Sequence, residues 1–201
     1  MEGVMVLSLF LGYLALWRIK KRIMVRHSGD NPEVIYDDNR PTQKFFANLL
    51  RVMSITIALL IGFHSAGVEN HFALHQLDFL DNDAVNVIGF VLGILGLFLS
   101  WRAQQEMGNS WRVGIDRQNK TALITTGVYA YIRNPTYSGL LLICIGSFMI
   151  FPTMSFSLWI TVFFISIEFQ VRLEEEFLIE SHGQDYTRYC QVTKRYIPFL
   201  Y

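Results

Sequence analysis

Charge is scarce in this chain, and what there is cancels. Only 17% of the 201 residues are charged, against roughly 25% in soluble domains, and 17 Lys and Arg balance 17 Asp and Glu. Lacking a basic excess, the chain has no footprint for replacing phosphate counterions, which excludes a nucleic-acid binder. Two cysteines are too few for a disulfide scaffold. Internal repeats and low-complexity tracts are missing as well. Against these absences, 52% of the residues are hydrophobic. The composition describes a single integral-membrane domain of the all-α class.

A membrane-spanning helix needs about 20 mostly apolar residues. Val4 to Trp17 is slightly short and spans with the help of snorkelling flanks. Its charges follow the apolar core and no small-residue cleavage site appears, so it does not read as a signal peptide. Val52 to Val68 and Ala84 to Trp101 are the second and third runs. Tyr137 to Gln170 is apolar almost throughout, too long for one span and right for two. Phe151-Pro152-Thr153 then forms the turn of a helical hairpin, because proline cannot continue the hydrogen-bond ladder. Residues 1–101 thus hold three spans, and residues 102–201 hold the hairpin (137–170) with its polar flanks.

Five spans predict which loops share a side. Arg18, Lys20, Lys21, Arg22, Arg26, Arg40, Lys44 and Arg51 separate spans one and two. Arg102, Arg112, Arg117, Lys120 and Arg133 separate spans three and four, and Arg172, Arg188, Lys194 and Arg195 follow span five. Every cation falls on one side, while the loop from Glu69 to Asp83 carries acids and no Lys or Arg. The positive-inside rule therefore places the N-terminus outside and the C-terminus in the cytosol. Cys144 lies in span four and Cys190 in the cytosolic tail, so no bridge between them is expected. Arg26 to Thr42 is expected to be a connecting loop, and His64 a hydrogen-bonded helix residue. His71, His75 and Asp78 have metal-compatible spacing but read as a solvated cluster, so no metal site is expected.

The chemistry concentrates in two cytosolic segments, Arg102 to Thr136 and Glu168 to Tyr201, which the hairpin brings together. Asn134-Pro135 stops regular structure where span four begins, and Pro135 in a first helical turn leaves N–H groups free for an anion. Arg133 stands beside that helix start as a cation able to fork onto a carboxylate. Glu174, Glu175 and Glu176 crowd like charge at a membrane helix end, so one of them is expected to face a cationic partner or ligand. A small ligand with a carboxylate at one end and positive charge at the other satisfies both segments.

These residues resemble a known family. The pattern Gly108-x-x-Trp111, then Thr126-Gly127-Val128-Tyr129, Arg133-Asn134-Pro135-Thr136-Tyr137-Ser138-Gly139, a hairpin, then Glu174-Glu175-x-x-Leu178-Ile179, Gly183, Tyr186 and Tyr189 resembles the isoprenylcysteine carboxyl methyltransferases. Related phospholipid N-methyltransferases share much of it. The resemblance covers about Gly108 to Pro198. It implies S-adenosylmethionine bound in a cytosolic pocket and a lipophilic acceptor entering from the bilayer. By matching position it assigns cofactor contacts to Thr121, Ala122, Leu123, Ile124, Tyr129, Asn134, Pro135, Thr136, Tyr137 and Glu174. Gly183, Tyr186 and Tyr189 match residues that close the pocket. Two departures stand out: Asn134 and Thr121 replace frequent histidines, and Gln170 replaces an arginine that engages the acceptor carboxylate. Arg172 is about 200° further round the helix and cannot substitute for it.

A carboxylate acceptor is ionised at pH 7, whereas an amine or thiol must lose a proton. Arg133 and Gln170 are the candidates for orienting the acceptor or the cofactor carboxylate, with Glu175 the candidate base. Rival readings are a sterol-reductase-like membrane enzyme using NADPH and a non-catalytic membrane protein. Simpler roles exist for single residues too: a snorkelling anchor for Arg133, a solvated helix end for the glutamates, and an interfacial belt for the tyrosines.

Overall fold

In hydrocarbon a backbone must satisfy its own hydrogen bonds, so each apolar run becomes a helix. The computed structural model describes residues 1–29, 31–68, 76–77, 82–117, 119 and 121–200. Its helices are α1 (Glu2–Ser28), α2 (Pro41–Ser65), α3 (Asp83–Met107), α4 (Pro135–Ile150), α5 (Met154–His182) and α6 (Gln184–Val192). Among the described residues no strand forms, only isolated bridges of Gln76 with Thr153 and Ile132 with Lys194. Helices α1, α2, α3 and α5 are long and apolar enough to cross a membrane, while α4 is apolar with 16 residues.

The helices outrun the hydrophobic segments. The expected loop from Arg26 to Thr42 shrinks to a linker over 29–40, because α1 continues through a basic last turn to Ser28. Cations there complement the helix dipole, and Gly29, at φ 76°, provides the left-handed cap. Helix α2 starts on Pro41, where a missing N–H costs nothing. The hairpin turns where Pro152 requires it, and Thr153 caps α5 by accepting from Phe156 N at 3.2 Å. At that end Glu2 accepts from Gln76 (3.0 Å) and Asn86 (2.8 Å), and Leu77 N donates to Pro152 O. The opposite end gathers the described residues of the linker, of 108–134 and of the stretch after α5. His64 corrects its expectation: it stacks on Phe151 at 3.7 Å, and its buried Nε2 has no hydrogen-bond partner among the described residues. His71, His75 and Asp78 lie outside the described residues.

Helices α3 and α4 touch through small residues that the hydropathy pattern does not reveal. A Cβ on Gly139 would lie 2.3 Å from Ser100 Oγ and 2.6 Å from Gly96 O, and one on Gly146 2.3 Å from Gly89 O. Since lipid tails are as apolar as the helices, such close backbone approach is what favours association. Gly139→Val should therefore cost about 1–3 kcal/mol through overpacking against backbone that cannot yield. The thermal midpoint in detergent should fall accordingly. Gly62→Ala, with nothing within 4 Å of its Cβ, should leave it unchanged.

Candidate functional site

Two chain segments far apart in sequence build one end of the bundle. The stretch before α4 pairs with the tail after α6: Arg133 N donates to Lys194 O at 2.7 Å and Asn134 N to Arg195 O at 3.1 Å. Ser138 Oγ reaches Tyr196 O (2.7 Å), and Tyr189 OH donates to Tyr129 O (2.6 Å). Tyr129, Tyr186 and Tyr189 are buried rather than ranged along a lipid-facing belt. Burial raises all three phenols above the ordinary tyrosine value, so they remain protonated donors at neutral pH.

Beneath this cap is a cavity of about 380 Å³. Its upper wall contains Thr121, Ala122, Leu123, Ile124, Tyr129, Arg133, Asn134, Thr136, Tyr137, Gln170, Glu174, Tyr186 and Tyr189. Below them it continues between α1, α2, α4 and α5 past Tyr13, Met53, Ile57, Cys144, Trp159 and Phe163. One hollow thus joins a polar, peptide-lined end to an apolar shaft among membrane helices.

The three adjacent glutamates separate because successive helical positions point about 100° apart. Glu174 faces the cavity. Tyr137 OH (3.0 Å) and Gln170 Nε2 (2.8 Å) both donate to its Oε1, leaving Oε2 without a protein donor among the described residues. Gln170 Oε1 is buried and has no partner among the described residues either. Glu176 is exposed.

Glu175 turns the other way and does not line the cavity. Its carboxylate accepts from Arg133 Nε at 3.0 Å and from Arg195 Nη2 at 2.7 Å. Arg195 also grips Glu168 (2.9 Å), which takes Arg172 (2.7 Å) and Tyr196 OH (2.8 Å). Held by two guanidiniums behind the cavity wall, Glu175 is not placed to take a proton from a ligand. Arg133 is committed too: Nη1 donates to Thr193 O (2.5 Å) and Cys190 O (3.3 Å). The structure makes both side chains a brace for the wall. Pro135, at the first turn of α4, is buried and also off the cavity.

Sequence reasoning missed several lining residues. Trp111 through Gly114 contribute, and Trp111 of the Gly-x-x-Trp motif was the available signal. Ile35 and Tyr36 of the linker line the cavity with no motif to announce them. They arrive there because Ile35 N donates to Val113 O (2.9 Å) and Val113 N to Pro32 O (2.8 Å). Gly114 permits the contact: at φ 91°, its Cβ would stand 2.6 Å from Ile35 Cβ. Lys21 pins the linker from α1 through Glu33 at 2.5 Å.

Residues 85–185 match the family described as phospholipid methyltransferase. The protein-S-isoprenylcysteine O-methyltransferase of Saccharomyces cerevisiae is 30% identical over 117 residues, which cover 57% of this chain and 49% of that protein. The probable protein-S-isoprenylcysteine O-methyltransferase of Oryza sativa subsp. indica is 30% identical over 122 residues, 58% of this chain and 62% of that one. The chain thus spans about half to three-fifths of these relatives. A solved structure of a eukaryotic intramembrane Ras methyltransferase, isoprenylcysteine carboxyl methyltransferase, superposes with a TM-score of 0.61 at 19% identity. That likeness covers 100% of this chain and 68% of the other, and it speaks for the fold.

Proposed function

Since this chain belongs to the phospholipid methyltransferase family, we propose that it transfers a methyl group from S-adenosylmethionine to a lipophilic acceptor entering from the bilayer. The observation that carries this reading is the single cavity with a polar end and an apolar shaft, which suits a polar donor and a greasy acceptor meeting in the middle. By the distribution of cations, the polar end faces the cytosol, and α4 crosses as a fifth, short span aided by local thinning.

The donor-less Oε2 of Glu174 and the orphaned Gln170 Oε1 suit a ligand that brings ammonium and other N–H donors. Thr121 to Ile124, Asn134 and Thr136 would line the rest of the donor, with Tyr129, Tyr186 and Tyr189 closing over it. S-adenosylmethionine, when bound, supplies a sulfonium whose methyl transfers to an in-line nucleophile with an excellent leaving group. What remains for the protein is positioning and exclusion of water. Tyr137 and Gln170 hold Glu174 in place, the tyrosine cap keeps solvent out, and the Arg133–Glu175–Arg195 brace fixes the wall they hang from.

A specific feature bears on the acceptor. Arg112 and Arg133 are the cationic side chains of the cavity wall among the described residues, and both are committed to protein partners. The place beside Glu174 is held by the neutral Gln170 and not by a cation, which favours a neutral or amine acceptor.

S-adenosylhomocysteine at a hundredfold excess over its dissociation constant should stabilise the detergent-purified protein by about 2.7 kcal/mol, read as a rise in thermal midpoint. Labelled methyl should pass from the donor into a lipid extract, with mass analysis identifying the product. An NADPH shift with none from S-adenosylhomocysteine would overturn the reading. A base-labile methyl ester as product would restore the carboxylate acceptor.

A further inference from the structure

Behind the Arg133 wall is a second hollow of about 210 Å³, lined by Arg133, Cys190, Thr193, Lys194, Arg195 and Leu200. Arg133 is common to both cavities. Around the smaller one, Arg133, Arg172, Lys194 and Arg195 stand against Glu168 and Glu175, so the local balance is positive. Two cationic groups keep donors to spare there among the described residues: Arg133 donates to protein through Nε and Nη1 but not Nη2, and the exposed Lys194 has no carboxylate or hydrogen-bond partner for its Nζ. A tetrahedral oxyanion, with acceptor oxygens in several directions, matches such converging donors better than a planar carboxylate.

The rim tells which oxyanion. Leu200 is 77% exposed and Phe199 86% exposed, and Ile197 is exposed beside them. Their depth is fixed by Tyr196, buried in an apolar cluster with Met53, Ile167 and Val171 and bonded to Glu168 and Ser138. Along α5, Glu168 lies about 21 Å from the helix start and Glu175, which pairs with Arg133 and Arg195 of the hollow, about 32 Å, so the two bracket the edge of a hydrocarbon layer about 30 Å thick. The exposed side chains therefore meet lipid at the edge of the hydrocarbon layer, with the basic hollow at headgroup level. Basic pockets beside membrane helices are favoured sites for anionic headgroups.

We propose that this hollow binds the phosphate of an anionic phospholipid, with Lys194 and Arg133 on the phosphate and Leu200 and Phe199 against the acyl chains. Because Arg133 also braces the larger cavity through Glu175, a bound lipid would steady the site from behind. The inference stands independently of methyl transfer.

The test is thermal unfolding of the full chain in neutral detergent, titrated separately with phosphatidylglycerol, phosphatidylcholine and inorganic phosphate. Phosphatidylglycerol should raise the midpoint saturably, and the other two should not match it. Lys194→Ala should weaken the apparent affinity about fivefold and Lys194→Glu more. Both leave an exposed position, so their lipid-free midpoints should stay near that of the unaltered protein. Leu200→Ser should also weaken the lipid effect. A shift that survives Lys194→Glu, or one that phosphatidylcholine reproduces, overturns the proposal. An equal response to inorganic phosphate, unaffected by Leu200→Ser, makes the site one for soluble phosphate and overturns the lipid assignment.

Discussion

Replacing Glu174 by alanine is expected to lower affinity for S-adenosylhomocysteine by about tenfold to a hundredfold and to abolish measurable methyl transfer. A hydrogen bond to a charged group contributes about 1.5–3 kcal/mol, and that range sets the estimate. The loss has two parts. The ligand forfeits the carboxylate whose Oε2 no protein donor occupies. Tyr137 OH and Gln170 Nε2, which both donate to Oε1, are left without their acceptor and can swing from position. Glu174→Gln separates the two, since it keeps the shape and an acceptor oxygen while removing the charge. Binding should be intermediate in that variant. Calorimetric titration of both variants provides the check, and unchanged affinity in Glu174→Ala would remove this residue from the site.

The second large effect is on stability. Glu175→Ala should cost about 3–5 kcal/mol, because it leaves Arg133 and Arg195 facing one another without the carboxylate between them. All three side chains are mostly buried, so water cannot compensate fully. The thermal midpoint of the protein in detergent should drop more steeply than for Gly139→Val. The double variant Glu175→Ala/Arg195→Ala should recover part of the loss, since one of the stranded cations is then gone. Equal midpoints for Glu175→Ala and the unaltered protein would show that the brace is dispensable.

The hairpin was legible in the sequence because proline has only one effect inside an apolar run, and Pro152 turns the chain where that effect demands. The cavity-facing set from Thr121 to Ile124, together with Asn134, Gln170 and Glu174, was reachable through motif order. What the sequence hid has geometric causes. Three consecutive glutamates point in three directions, and only packing decides that Glu174 faces the hollow while Glu175 turns to the guanidiniums. Arg195 pairs with Glu175 across twenty positions, a contact that exists only because the chain doubles back after α6. The small-residue seam between α3 and α4 adds nothing to hydropathy sums. Helix ends were misjudged for a related reason: lysine and arginine end an apolar run without ending a helix, so α1 reaches Ser28 and α2 begins at Pro41.

The linker that crosses from α1 to α2 divides the inheritance of the cavity. Residues 85–185 carry the family likeness, yet Tyr13, Ile35, Tyr36, Met53 and Ile57, from outside that stretch, complete the enclosure. The wall of the cavity is therefore built from both sides of that boundary, with Cys144, Trp159 and Phe163 coming from within it. Drift in the first sixty-odd codons can reshape the lower part of the hollow without touching Glu174 or Gln170.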